Sequence, residues 1–141
     1  MASVLFFEKP GCVNNTRQKA LLAASGHSVW ARNLLAEKWT RQRLRAFFGE
    51  LPVAQWFNPA APRVQSGEVR PERLDEEQAL ALMLLDPLLI RRPLMEVDGE
   101  CRAGFDAFEV DRWIGLAEGV RQDMESCPRP HAAEACAEPR G

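Results

Sequence analysis

Apolar runs and amphipathic stretches alternate along the first half of the chain. Ser3 to Phe7 is a short apolar segment rich in Val, Leu and Phe, which suits a buried strand. Pro10-Gly11 breaks it, and from Val13 to Ser25 the spacing turns helical, with Leu21 and Leu22 among alanines on the apolar side. Gly26 stops this helix, because glycine takes a left-handed conformation without penalty. His27 to Ala31 predicts a second strand, which makes a β-α-β unit with parallel strands. Trp39 to Phe48 predicts a second helix, with Leu44, Phe47 and Phe48 inward, Arg41, Arg43 and Arg45 outward, and Gly49 at its end. Prolines 52, 59, 62 and 71 interrupt the next stretch, leaving a short helix around Val53–Phe57 and otherwise irregular backbone. Asp75 to Leu85 opens on an acidic turn and predicts a helix that ends before Pro87. Leu94–Val97 and Glu100–Ala103 flank Asp98-Gly99, the strongest short-range hairpin signal. Asp106 to Leu116 predicts a last, Asp-capped helix offering Phe108, Trp113, Ile114 and Leu116 for docking.

The order is therefore β-α-β, a helical insertion, then β-β-α. It predicts an α/β protein on the thioredoxin-like plan, with a four-stranded mixed sheet and an added helical segment. The domain is expected over residues 1–118. Residues 119–141, rich in Pro, Ala, Glu and Arg without apolar period, are expected to be a disordered tail.

A length of 141 residues fits one domain with a single core. The formal net charge of -2 argues against a broad nucleic-acid footprint. No apolar run is long enough to span a membrane, and Met1 to Glu8 lacks a basic n-region and a cleavage site, so the cytoplasm is the expected compartment. The four cysteines (Cys12, Cys101, Cys127, Cys136) and two histidines (His27, His131) lack paired metal-ligand spacing, so no metal site is expected. Without a secretory signal a disulfide framework is not expected either.

Individual thiols then carry the candidate chemistry. Cys12 follows a strand, a proline and Gly11, and it opens a helix. Unsatisfied N–H groups and the partial positive charge of a helix N-terminus both favour a thiolate over a thiol. Lys9 adds a positive charge nearby, Glu8 opposes it, and the plain alternative is a small buried hydrophobe. The second cysteine of a redox pair is missing: Asn15 stands three residues on, able to donate a hydrogen bond to sulfur but not to resolve a mixed disulfide. Turnover must then draw on glutathione, another protein or a distant thiol. Cys101, in the hairpin, is the internal candidate, although strand cysteines are commonly buried filler. In Arg91-Arg92-Pro93, a cis proline before the third strand would bring Arg92 near Cys12, to bind an anion or steady a thiolate; a surface arginine pair is the alternative. Trp30, Trp39, Trp56 and Trp113 read as packing residues. Arg41, Arg43 and Arg45 read as a solvated helix face or a docking patch.

Glu8-Lys9-Pro10-Gly11-Cys12, the segment Leu85 to Leu94 and the Asp98-Gly99 hairpin resemble the glutaredoxin-coupled arsenate reductase and Spx family. Within it, Asn14-Asn15-Thr16 after the cysteine, Ile90 to Val97 and Ala103 to Asp106 are similar to the nitrogenase-associated proteins. The likeness runs from about Ser3 to Leu116 and leaves the tail outside. It implies a thioredoxin-like fold with Cys12 in the nucleophile position, Pro93 as the cis proline and Arg92 at one oxyanion-binding position. It also exposes departures. The reductases' histidine four residues before the cysteine is Glu8 here. Their arginine in the helical insertion falls near Trp56, with Arg63 and Arg70 as substitutes, and their Gly-Arg-Pro is Gly104-Phe105-Asp106. Arsenate reduction needs several cations around a tetrahedral anion, so losing two of three arginines argues against that activity.

The resemblance thus implies a monothiol redox accessory factor in nitrogen fixation, acting through Cys12 with a protein partner. No cofactor is expected to be bound, and glutathione is the candidate thiol donor. The rival is a non-enzymatic, Spx-like protein-binding module in which Cys12 is dispensable and Arg41 and Arg45 matter.

Overall fold

Alternation along the first strand decides the layering of the protein. In the computed structural model, which describes residues 1–117, strand β1 is Ser3–Glu8. Its Val4 and Phe6 enter one core with Leu22, Met95, Val97 and Val110. Phe7, which points to the other face, enters a second and larger core with Leu44, Phe47, Trp56, Met83, Ile90 and Leu94. A strand covered on both sides has no polar face to show, which explains its unbroken apolar run.

Helix α1 (Val13–Ala24) follows and returns the chain to strand β2 (Ser28–Asn33), which pairs parallel to β1 with Leu5 beside Trp30. Gly26 takes φ +93, as its helix-stopping role requires. The hairpin forms from β3 (Leu94–Val97) and β4 (Glu100–Ala103), with positive φ at both Asp98 and Gly99. This is the Asp-Gly turn whose twist matches paired strands. Because β3 lies antiparallel on β1, the sheet is mixed and runs β2-β1-β3-β4. The expected α/β architecture is present in full.

The insertion builds the larger core. Helix α2 spans only Arg41–Arg45, shorter than the expected Trp39–Phe48. Thr40 starts it by accepting the Arg43 N–H, and the backbone then tightens into i-3 bonds from Phe47 to Leu44 and from Phe48 to Arg45. A one-turn helix α3 (Pro62–Gln65), not expected from the sequence, has proline at its first position. Val53–Trp56 forms a 3-10 turn where a short helix is expected. Helix α4 (Glu76–Leu85) carries a reciprocal capping box between Asp75 and Gln78 and stops before Pro87, as expected. Helix α5 (Ala107–Ile114) is capped by Asp106, which accepts from the N–H groups of Phe108 and Glu109.

Side-chain placement corrects three expectations. Trp30 is not a packing residue, being 63% exposed on β2, whereas Trp56 is fully buried and stacks on Phe48. Phe108 is also exposed rather than docked. The α2 arginines are not a simple solvated face: Arg41 pairs with Glu77, Arg45 with Glu76, and Arg43 with Glu37 while lying over the rings of Phe7 and Trp39. The tail expected over 119–141 lies outside the described residues. No helix among the described residues is long and apolar enough to cross a membrane.

Candidate functional site

Cys12 is the N-cap of α1, and its position follows from the turn that precedes it. Gly11 takes φ +86, a conformation that L side chains resist. The turn closes with the Cys12 N–H donating to the Lys9 carbonyl at 3.1 Å. Cys12 itself stays extended (φ -75, ψ 120), and its Sγ accepts from the Asn15 backbone N–H at 3.5 Å. The sulfur therefore fills the role that a serine or aspartate oxygen usually fills at a helix start. Cys12 is 3% exposed.

The Asn15 side chain does not donate to this sulfur. Its Oδ1 accepts from the Lys9 N–H at 3.1 Å and its Nδ2 donates to Gln18 Oε1 at 3.0 Å, so it braces the turn instead. That bracing suits a residue 1% exposed, since a buried amide without partners would be costly. Glu8 does not line the cleft beside Cys12. Its carboxylate meets the Lys19 ammonium at 2.8 Å, so its charge is balanced on α1.

The sulfur opens on a cleft of about 490 Å³ whose walls include Asn15, Gln18, Gln55, Asn58, Arg91, Arg92, Gly104 and Phe105. Cys12, Asn15 and Arg92 are thus brought together, as expected. Neither Gly11, which is exposed, nor Pro93, which is buried, lines the cleft itself. The Arg92-Pro93 peptide is cis, and the Pro93 carbonyl accepts from the Gly104 N–H at 2.8 Å.

Arg91 is the cleft residue to which sequence reasoning assigned no role. Its guanidinium donates to the Gln55 carbonyl at 3.0 Å, and its backbone N–H donates to the Trp56 carbonyl at 2.9 Å. It also packs so closely on Gly104 that a Cβ there would lie 2.5 Å from Arg91 Nε. Arg63 does not replace the missing insertion arginine, because it is bonded to Asp86 and Glu68 away from the cleft. Arg70 is exposed and does not line the cleft either.

Cys101 belongs elsewhere. It sits on β4 level with Glu96 and Leu5, and it opens into a separate cleft of about 480 Å³ beyond the wall formed by Arg91, Gly104 and Phe105. Burial and then the Glu96 carboxylate push its thiol pKa up, with Arg43 opposing. It is therefore not arranged as an internal partner for Cys12.

Comparisons with known proteins agree with this fold. A 15.7 kDa uncharacterized protein from the draG 3′ region of Rhodospirillum rubrum is 60% identical over 141 residues, covering 100% of this chain and 99% of that one. The crystal structure of an ArsC family related protein from Bacteroides fragilis superposes with a TM-score of 0.68 at 23% identity, covering 78% of this chain and 97% of that one. An arsenate reductase from Vibrio cholerae gives a TM-score of 0.62 at 22% identity, over 73% and 90% of the two chains. At such identities the structures speak for the fold alone. The sequence model of the ArsC family matches residues 12–113, from the cleft cysteine to the last helix, and this chain belongs to the ArsC family.

Proposed function

We propose that this protein is a monothiol redox factor acting through Cys12, supported by Gly11, Asn15, Arg92 and Pro93. The observation that carries this reading is the Cys12 sulfur itself. It caps a twelve-residue helix, accepts a backbone N–H and faces a cleft that two arginines line. Backbone N–H groups and the dipole stabilise a sulfur anion, and the arginines suit an anionic partner such as the carboxylates of glutathione.

With a disulfide partner the step is an exchange. The Cys12 thiolate attacks one sulfur of glutathione disulfide, the S–S bond breaks, and a Cys12–glutathione disulfide forms as glutathione leaves as its thiolate. Cys12 is oxidised and the departing half is reduced. A second thiol, from glutathione or a partner protein, reverses the step. Asn15 cannot do so, because it carries no sulfur. In our reading, which rests on the sequence resemblance to nitrogenase-associated proteins, this chemistry serves a cytoplasmic accessory function in nitrogen fixation, with a redox-sensitive protein as partner.

Arsenate reduction fits the cleft less well. Among the described residues only Arg91 and Arg92 bring cationic side chains to the cleft lining, and neither Arg63 nor Arg70 joins them. In the docking-module alternative, Arg41 and Arg45 would act from surface ion pairs with Glu77 and Glu76 of α4.

Incubating the reduced protein with glutathione disulfide and mapping adducts by peptide mass spectrometry tests the proposal. A single adduct on Cys12, removed by excess thiol and missing in Cys12→Ser, is expected. Adducts confined to the other cysteines would refute it. In nitrogen-fixing cells, an unchanged phenotype for Cys12→Ser would also speak against it.

A further inference from the structure

Strand β2 ends the sheet on one side and is covered by nothing among the described residues. Its neighbour on the inner side is β1, and five of its six residues are exposed. The Ser28 N–H donates to Ala2 and the Leu34 N–H to Glu8, so even-numbered residues of β2 bond inward to β1. By the period of two, the backbone groups of Val29 and Ala31 and the N–H of Asn33 point outward, while the Asn33 carbonyl accepts from the Ala36 N–H at 3.1 Å in the turn that follows. Natural edges are usually blunted by proline, lysine, a bulge or a cover. This strand, Ser-Val-Trp-Ala-Arg-Asn, carries no proline and no lysine and pairs with β1 in unbroken register. It presents Trp30 to solvent instead.

We infer that the β2 edge is a homodimer interface, in which two copies pair their β2 strands antiparallel about a two-fold axis and extend the sheet to eight strands. A two-fold axis makes edge strands antiparallel, and only outward-facing residues can form the hydrogen-bonded pairs. Placing Ala31 opposite Ala31 of the second copy satisfies this and sets Val29 beside Asn33 on each side, where the Asn33 N–H donates to the Val29 carbonyl. Trp30 then faces Arg32 of the other copy, twice, on the face that also carries Leu5 and Phe7. Non-hydrogen-bonded cross-strand pairs bring side chains closest, and a guanidinium over an indole is favourable. Arg32 keeps a 2.9 Å ion pair with Glu37 of its own chain while about half of its side chain, 51%, stays exposed. The strand is thus complementary to itself, which identifies a second copy as the occupant.

Sedimentation velocity of the full chain over a concentration series to about 200 µM reads the equilibrium directly. Wild type is expected to move from monomer to dimer mass. Trp30→Lys sets like charges opposite each other and is expected to raise the midpoint concentration at least about tenfold. Trp30→Glu sets a carboxylate opposite Arg32 and is expected to stay within about threefold of wild type. Trp30 is exposed, so circular dichroism should show both variants folded. A wild-type chain that stays monomeric would leave the edge to a strand of another protein and overturn the proposal. Dimerisation indifferent to Trp30→Lys would overturn it too, and equal disruption by both variants would place Trp30 against Trp30 and refute the register.

Discussion

The Glu8 carboxylate is held 2.8 Å from the Lys19 ammonium, one element away from the cysteine that it precedes by four residues. An acidic residue at that position would otherwise raise the energy of a Cys12 thiolate. Neutralising Lys19 should release that effect. Lys19→Met is expected to slow Cys12 alkylation at neutral pH by about two- to fivefold, the scale of one partly exposed ion pair. Peptide-resolved labelling measures it, and an unchanged or faster rate would show that Glu8 does not act on the thiol.

Gly104 and Arg91 form the wall between the two clefts. Gly104 has φ +85, and a Cβ there would collide with the Arg91 guanidinium. Gly104→Ala is expected to cost about 1–3 kcal/mol by denaturant unfolding, combining left-handed strain with displacement of Arg91. Arg91→Ala in the same chain should recover only the part due to collision. A double-mutant cycle with no coupling would contradict the packing described.

The capping box on α4 offers a test of the insertion. Asp75 accepts from the Gln78 N–H at 2.8 Å, and Gln78 Oε1 in turn accepts from the Asp75 N–H at 3.0 Å. Asp75→Ala is expected to lower stability by about 0.5–2 kcal/mol, with the Cys12 reaction unchanged. Loss of Cys12 reactivity in a folded Asp75→Ala chain would show that α4 reaches the cleft.

Cys101 gives the pH dependence. Burial and Glu96 raise its folded pKa above that of an unfolded thiol, so the folded chain holds this proton to higher pH. Between the two values the unfolded chain has lost the proton and the folded chain has kept it. Stability contributed below the unfolded pKa is therefore lost as pH rises through that alkaline window. Cys101→Ser should flatten this alkaline decline in thermal melts, and Glu96→Gln should bring Cys101 alkylation to lower pH. An onset unmoved in Glu96→Gln would remove the electrostatic cause.

What the sequence reveals is what short-range chemistry decides. The Asp98-Gly99 turn, the Asp106 cap and the Pro-Gly break before Cys12 each act within a few residues, and each appears where expected. The bounds of α2 depend on the Thr40 cap and on the packing of Trp39 against Phe7 and Phe47, which apolar spacing does not convey. Helix α3 could have been found from Pro62, a residue favoured at first helical positions. Trp30 looked like core because it is aromatic, but strand order decides its exposure and is a long-range property. In the site, Cys12 and Arg92 were legible from position. The role of Arg91 was not, because it depends on Gln55 and Gly104, distant in the chain.

The most direct test of a reactive Cys12 is its alkylation rate in the native protein at neutral pH, resolved by peptide against Cys101. Cys12 is expected to react at least about tenfold faster than Cys101, as an N-capping sulfur open to a cleft should. Labelling of Cys12 that is slower than that of Cys101, or that waits for denaturant, would contradict the redox assignment and leave the fold as a scaffold.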